Sequence, residues 1–345
     1  MDPLLEPRPV RDTLLLSRAD VERLLTPRLC ADAVEHAFRA LGAGAVPPPG
    51  ILGMHTGTGG SFHVKAGFLA AGRPFFAAKL NANFPSNPAQ GLPTIQGAVM
   101  LFDAADGTLL AIMDSMSVTA LRTAAATAIA AKYLARESCG TLLVCGCGGQ
   151  GPAQVRALLE FRRPRRVLAH DLDAAKAHAF CDTMRRELGL EAEVATDFAA
   201  AASRSDIVVT CTSARRYFIT KEMIRPGTFI AAVGADAEHK QEIEPALMAA
   251  ATVVTDLTGQ AAKIGDLHHA IDAGSMTLED VHAELAEVVA GFQPGRTRED
   301  EIIVFDSTGT GLQDVASAIA VYDEARRTRS GCGYALSSDG AARTG

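Results

Sequence analysis

The sequence contains no apolar run of the roughly 18–20 residues needed to cross a bilayer, so no membrane-spanning helix is expected. It also lacks a Lys/Arg stripe. With 33 basic against 40 acidic residues the formal net charge is −7, and nothing is present to neutralise the phosphates of a nucleic acid. Two Arg-rich spots, 162–166 (RRPRR) and 326–329 (RRTR), are short and read as solvated helix ends. The seven cysteines are scattered and form no disulfide framework. Cys145 and Cys147 flank one glycine, but no second Cys pair or His cluster completes a metal site, so no metal is expected and the thiols read as reduced core residues. The N-terminus, MDPLLEPRPVRDT, is acidic and broken by proline, unlike a secretory signal, which points to the cytoplasm. Tryptophan is absent, which excludes nothing.

What is present is a soluble-protein composition, 21% charged and 48% hydrophobic, over a length of 345 residues that suits two domains. The first part mixes one helix over 17–44, with Ser17 as its cap, with strand-like pieces at 61–69 (SFHVKAGFL), 75–84 (FFAAKLNANF) and 98–115, the last folded at Asp106-Gly107 as a hairpin. The Ala-rich stretch 118–137 reads as a long helix joining two domains. Beyond it, apolar strands alternate with helices, which implies a parallel, doubly wound sheet. A last helix, LQDVASAIAVYDEARRTR, is expected to return and cover the first sheet. The terminal SSDGAARTG reads as frayed. The expected fold class is thus α/β. A Rossmann dinucleotide-binding domain spans 124–309, and a mixed α+β domain spans 1–123 and 310–345.

The strand TLLVCG opens on Gly146-Cys147-Gly148-Gly149-Gln150-Gly151, a G-x-G-x-x-G match placed between a strand and a helix. Gly146 permits the tight turn, Gly148 lets a pyrophosphate approach the backbone, and Gly151 lets helix and strand pack closely. The helix N-terminus offers free N–H groups to the phosphates. Asp171 ends the next strand, placed for the adenosine ribose hydroxyls, and its charge favours NAD, although His170 and Lys176 leave NADP open. Thr212, ending DIVVTCT, is expected at the cofactor.

The strand FIAAVGAD ends on a carboxylate at the same sheet edge. Gly234 would let a nicotinamide ring lie against backbone, and Asp236 would act as an acid/base with a raised pKa. Three cations could complete the site. Arg122 is read in the first turn of a helix capped near Ser117, where a cation calls for a compensating anion such as a substrate carboxylate. Lys79 and Lys65 each lie among apolar neighbours, and a buried lysine needs a partner or a function.

Taken together, the segments 79–97 (KLNANFPSNPAQGLPTIQG), 119–136 (TALRTAAATAIAAKYLAR), 146–151 (GCGGQG), 232–244 (AVGADAEHKQEIE) and 304–314 (VFDSTGTGLQD) resemble the ornithine cyclodeaminase/μ-crystallin family. That resemblance implies a homodimer, an NAD(P)-binding Rossmann domain and a small amino or imino acid as substrate. By matched position it implies that Lys79 and Arg122 hold the substrate carboxylate, with Thr308 nearby, and that Asp236, aided by Lys79, is the catalytic acid/base. It places Thr94, Arg122, Gly149, Gln150, Asp171, Thr212, Val233, Lys240 and Ser307 at the dinucleotide. Two departures matter: where cyclodeaminases carry an Arg after a proline pair this chain has Pro49-Gly50, and where they carry an acidic residue and a Met-Pro pair it reads FHVKAG, with Lys65. A lysine there disfavours a substrate with a cationic tail. The expected activity is therefore an NAD(P)-dependent imine reductase or amino-acid dehydrogenase. The alternatives are an ornithine or lysine cyclodeaminase, and a non-catalytic μ-crystallin-like binding protein.

Overall fold

Ser17 ends one element and starts the next. In the computed structural model, which describes residues 12–57 and 59–336, β1 (Thr13–Leu16) enters α1 (Arg18–Leu24) through a capping box. The Ser17 hydroxyl accepts from the Asp20 N–H, and the Asp20 carboxylate accepts from the Ser17 N–H. The single helix expected over 17–44 is two helices. Thr26 caps a second one, and Pro27 occupies its first position, where no N–H is needed, so the pattern restarts as α2 (Pro27–Gly42). Residues 1–11 and the frayed-reading tail at 337–345 lie outside the described residues.

An antiparallel meander follows: β2 (Gly50–His55), β3 (Ser61–Ala71), β4 (Arg73–Asn83), β5 (Ile95–Asp103) and β6 (Leu109–Asp114). The expected hairpin turns at Gly107, whose φ of 78° a side chain would disfavour. Asp114 then caps α3 (Ser115–Leu134), which is buried on nearly every side, so its alanines let two layers approach across it.

The parallel half runs β7 (Thr141–Cys145), α4 (Gln150–Leu158), β8 (Arg166–His170), α5 (Ala174–Leu188), β9 (Glu191–Val194), α6 (Phe198–Arg204), β10 (Ile207–Thr210), β11 (Arg215–Ile219), β12 (Phe229–Ala232), β13 (Gln241–Ile243), α7 (Pro245–Ala250), β14 (Thr252–Thr255), α8 (Thr258–Ile264), α9 (Asp266–Asp272), β15 (Ala283–Glu284), α10 (Leu285–Ala290) and β16 (Ile303–Asp306). Its eight-stranded sheet has the order β15-β14-β16-β12-β10-β7-β8-β9, with every pairing parallel. Strands β10, β12 and β16 are buried on both faces, which is why they read as unbroken apolar runs. The strand order reverses between β7 and β10, the place where open α/β sheets bind ligand at the carboxyl edge.

The chain closes with α11 (Gly311–Thr328) and β17 (Cys332–Tyr334), which rejoin the first sheet (order β17-β1-β6-β5-β4-β3-β2). One hydrophobic core runs through both halves, from Val99 and Leu101 through Ile129 to Val144, Phe229 and Phe305. On the opposite face of the first sheet Leu52, Met54, Phe76 and Leu80 are exposed. The RRPRR segment is more than a solvated end, since Arg162 donates to the carbonyls of Lys132 and Ala135 and so caps the last turn of α3. Among the described residues no helix is long and apolar enough to cross a membrane.

The start of α11 lies hard against β3. A Cβ on Gly311 would stand 2.3 Å from the Ala66 carbonyl oxygen, and one on Gly67 would stand 2.8 Å from the Gly311 oxygen. Gly311→Ala is therefore expected to destabilise the protein by at least ~2 kcal/mol through forced backbone shifts, read as a lowered thermal midpoint.

Candidate active site

The glycine loop is built as its spacing requires. Gly146 has φ 99°, and a Cβ there would meet the Cys211 carbonyl at 2.7 Å; a Cβ on Gly151 would meet the Gly146 carbonyl, also at 2.7 Å. By contrast, Cβ atoms on Gly148 and Gly149 would project into open space before the N-terminus of α4. That cradle, with free helix N–H groups and no side chain in the way, fits a pyrophosphate. Asp171 is fixed beside it: its two carboxylate oxygens accept from the Cys147 N–H (2.8 Å) and the Asp173 N–H (2.9 Å). Val233 and Ser307 follow β12 and β16 at the same edge, and the buried Ser307 hydroxyl has no partner among the described residues.

On the facing sheet Lys65 and Lys79 are directly opposite one another on β3 and β4. Lys79, 3% exposed, donates to Asp314 Oδ1 at 2.7 Å, and Arg122 Nε lies 3.2 Å from the same oxygen. Arg122 Nη1 donates to Gln313 (2.9 Å), while Asp314 Oδ2 and the Gln313 amide nitrogen are buried without partners among the described residues. Lys65 donates to the carbonyls of Thr308 (3.0 Å) and Gly309 (2.7 Å). Burial, then the Arg122 charge, pulls Lys79 down to about 7 against the pull of Asp314. The same two causes lower Lys65.

Three expectations need correcting. Arg122 is not in a first turn: it lies seven residues beyond Ser115, about two turns into α3, so the helix-end argument fails. Its compensating anion is Asp314, in the first turn of α11. Gly234 is required by neighbours within the chain, since a Cβ there would stand 2.5 Å from both the Glu242 carboxylate and the Thr212 carbonyl oxygen. The pKa of Asp236 is not raised. Burial pushes it up, but Lys240 (2.5 Å away), then Lys65 and Arg122, outweigh that and hold it below the usual carboxylate range. Its side chain is 52% exposed. The fields of Lys65 and Arg122 reach it, and the fields of the same two cations reach Lys79.

Behind these groups stands a layer of buried acids that the sequence reading missed. Glu242 accepts from the hydroxyls of Thr210 and Thr212 and from the N–H groups of Thr212 and Gly234, so the Thr212 side chain is already engaged. Asp256 accepts from the Thr308 hydroxyl and the Gly309 N–H, and Gln260 donates to the same pair, so Thr308 serves the loop that holds Lys65. Asp266 and Asp306 adjoin one another, each with one oxygen unpartnered, and burial carries Asp306 up to about 7. Asp314 could have been found: it is an acid in the first turn of a helix that follows a strand ending at the ligand edge. The buried acids carried no such signal. Thr94 lies in the β4–β5 connection, where its carbonyl accepts from the Phe84 N–H. No set of three or more His, Cys, Asp or Glu residues able to hold a metal occurs among the described residues.

The model of the ornithine cyclodeaminase/mu-crystallin family matches residues 11–329, and the chain belongs to that family. An archaeal alanine dehydrogenase dimer solved with bound NAD is 35% identical, with a TM-score of 0.89 over 93% of this chain and 98% of that one. The Δ1-pyrroline-2-carboxylate reductase of Thermococcus litoralis, solved with NADH and L-proline, is 31% identical (TM-score 0.88, covering 93% and 99%). The iminosuccinate reductase of Paracoccus denitrificans, solved with NAD+, is 32% identical (TM-score 0.86, covering 94% and 99%).

Two outcomes follow from this electrostatics. Asp306 holds a proton in the folded state up to about pH 7 but loses it near 3.8 when unfolded, so it contributes stability at low pH that is lost as pH rises through that window. Asp306→Asn should flatten this decline by at least about 1 kcal/mol between pH 4 and 7.5, measured from denaturant midpoints. Asp314→Asn leaves two buried cations without their carboxylate and should cost ~3 kcal/mol at pH 6. The loss should shrink by pH 9, where Lys79, titrating at about 7, is neutral.

Proposed function

We propose that this chain is an NAD-dependent oxidoreductase that moves hydride at the α-carbon of an amino or imino acid, as an imine reductase or amino-acid dehydrogenase. What supports the reading is the buried cluster of Lys79, Arg122 and Asp314 with Lys65 opposite Lys79, the fields of Lys65 and Arg122 at Asp236, and a glycine loop that leaves the same sheet edge as Asp236 and Ser307. When bound, NAD supplies the hydride acceptor. Gly146 to Gly151, with the α4 N-terminus, hold its phosphates, and the fixed charge of Asp171 disfavours a 2′-phosphate. Ser307 Oγ offers a further hydrogen bond at the sheet edge. Thr94, Thr212, Val233, Gly234 and Lys240 complete the assignment at the cofactor, Thr212 and Gly234 by shaping backbone.

Arg122 and Lys79 hold the α-carboxylate. Asp314 fixes their head groups beforehand, so little side-chain freedom is lost on binding. Asp236 exchanges a proton with the substrate nitrogen. Being ionised when paired with Lys240, it is ready to accept a proton from an ammonium in the oxidative direction. In the reductive direction it must be protonated first, so imine reduction should gain as pH falls toward the carboxylate range.

We assign the described residues of 1–123 and 310–345 to the substrate half and 124–309 to the dinucleotide half, a division that falls within α3. The apolar outer face of the first sheet, with Leu52, Met54, Phe76 and Leu80 exposed, suits burial against a second copy, so we assign a homodimer. All seven cysteines are free, which fits the reducing cytoplasm. Asp236→Asn is expected to lower kcat for imine reduction by at least about 100-fold while leaving the NADH dissociation constant within about threefold. Full turnover in that variant overturns the role.

A further inference from the structure

Two lysines directly opposite one another on neighbouring strands repel, and a sheet gains nothing from placing them so. Lys65 and Lys79 are such a pair, on the face that meets α11 and the parallel half. Their side chains diverge to different partners, and the partners are unequal. Lys79 and Arg122 share one carboxylate, Asp314. Lys240 has Asp236. Lys65 has only the carbonyls of Thr308 and Gly309, which account for two of its three N–H bonds. The other carboxylate whose field reaches Lys65, Asp256, is fully buried, is pushed up by that burial and is already bound by Thr308 and Gly309.

Counting side chains, four cations (Lys65, Lys79, Arg122 and Lys240) face three carboxylates (Asp236, Asp314 and the buried Asp256), an excess of one. An α-imino acid with one carboxylate and a protonated nitrogen is neutral overall and leaves this excess in place. A second carboxylate answers it. Next to Lys65 on the same face of β3, His63 is bound at Nε2 by Ser61 (2.9 Å) and is held toward its neutral form by burial and by Lys65, so it adds hydrogen bonding rather than further charge. Asp314 and Asp236, the carboxylates whose fields reach Lys65 most strongly, are engaged by Lys79, Arg122 and Lys240 rather than left to receive a cationic substrate tail.

We propose that the substrate is an α-amino or α-imino dicarboxylate, with Arg122 and Lys79 on the α-carboxylate and Lys65 on the distal one. The inference rests on the hydride-transfer reading for its place in a reaction, but its binding claim is separable. The rival within the same site is that Lys65 helps to hold the α-carboxylate, as a substitute for the arginine missing at Gly50.

The test is calorimetric titration of the full-length protein, with and without NADH, using succinate and butyrate as inert probes of equal chain length. Succinate is expected to bind at least about tenfold more tightly, as one charge-assisted contact provides. Lys65→Gln should bring the two probes within about threefold, and Lys65→Arg should restore the preference. Equal binding of the probes by the native protein overturns the proposal. So does a Lys65→Gln variant that weakens both probes alike, which would assign Lys65 to the α-carboxylate. If a thermal melt shows Lys65→Gln to be unfolded, the native succinate preference and its retention in Lys65→Arg decide the matter. Steady-state assays with pyruvate or oxaloacetate plus ammonia and NADH separate the two readings. Succinate discrimination without any imine reduction sinks hydride transfer and leaves the dicarboxylate site; reduction favouring pyruvate sinks the dicarboxylate site and leaves hydride transfer.

Discussion

The architecture of the site depends on one carboxylate that is 1% exposed. Asp314 holds Lys79 and Arg122 at a single oxygen, and each of those cations comes from a different element, β4 and α3, while Asp314 itself starts α11. Taking these charges out of water costs several kcal/mol per ion before any attraction is counted, and a well-packed apolar trio would cost less. A structure that accepts such a loss for packing alone is hard to justify. The unpartnered Asp314 Oδ2 and Gln313 amide show that the network is also incomplete within the chain. The buried cations and the open Gln313 donor fit a site arranged around an anionic group that arrives from outside, whereas Asp314 Oδ2, an acceptor, calls for a donor.

The return of α11 to the first sheet follows from the same requirement. For Asp314 to reach Lys79, the start of the helix must nearly touch β3, and this is possible because Gly67 and Gly311 present no side chains to each other. The loop before it, Thr308 to Thr310, receives Lys65 on its carbonyls, and Asp256 and Gln260 secure it from the parallel half. Gly309, at φ 76°, would drive a Cβ to within 2.3 Å of Arg122. Sheet, loop and helix thus constrain one another around a few cubic ångströms of charge. The buried acids beneath, Glu242, Asp266 and Asp306, hold other segments, accepting from the backbone N–H groups of Gly234, Glu242, Ile243 and Leu267.

Much of this could be read in advance where local chemistry and function demand the same residue. Gly146 and Gly151 are required by close backbone contacts, while Gly148 and Gly149 leave open space, so the spacing of the motif identifies the loop. The apolar runs at β10, β12 and β16 announce a sheet covered on both faces. The reading failed where a residue answers to something distant in sequence. Arg122 was explained by a helix end because its true partner lies nearly two hundred positions away. Gly234 was assigned to a ligand although its tolerance is set by Glu242. The split at Thr26-Pro27 was a local signal overlooked, because the apolar period continues across it.

Fixed and free charges divide the work of the site. Lys79 and Arg122 are buried and tied down, which suits groups that must position a carboxylate without reorganising. Asp236 is different: half-exposed and tied only to Lys240 four residues away, it can turn without disturbing the core. On the proposed reading, in which Asp236 is the acid/base, that freedom lets its proton exchange with solvent once per turnover. Its low resting pKa is then the electrostatic consequence of standing among cations before substrate binds. A substrate carboxylate entering that neighbourhood cancels part of their field and moves Asp236 upward, toward the range where it can both give and take a proton. The charge that binding neutralises and the acidity that turnover requires are therefore the same quantity, set by Lys65, Arg122 and Lys240 acting on one carboxyl group.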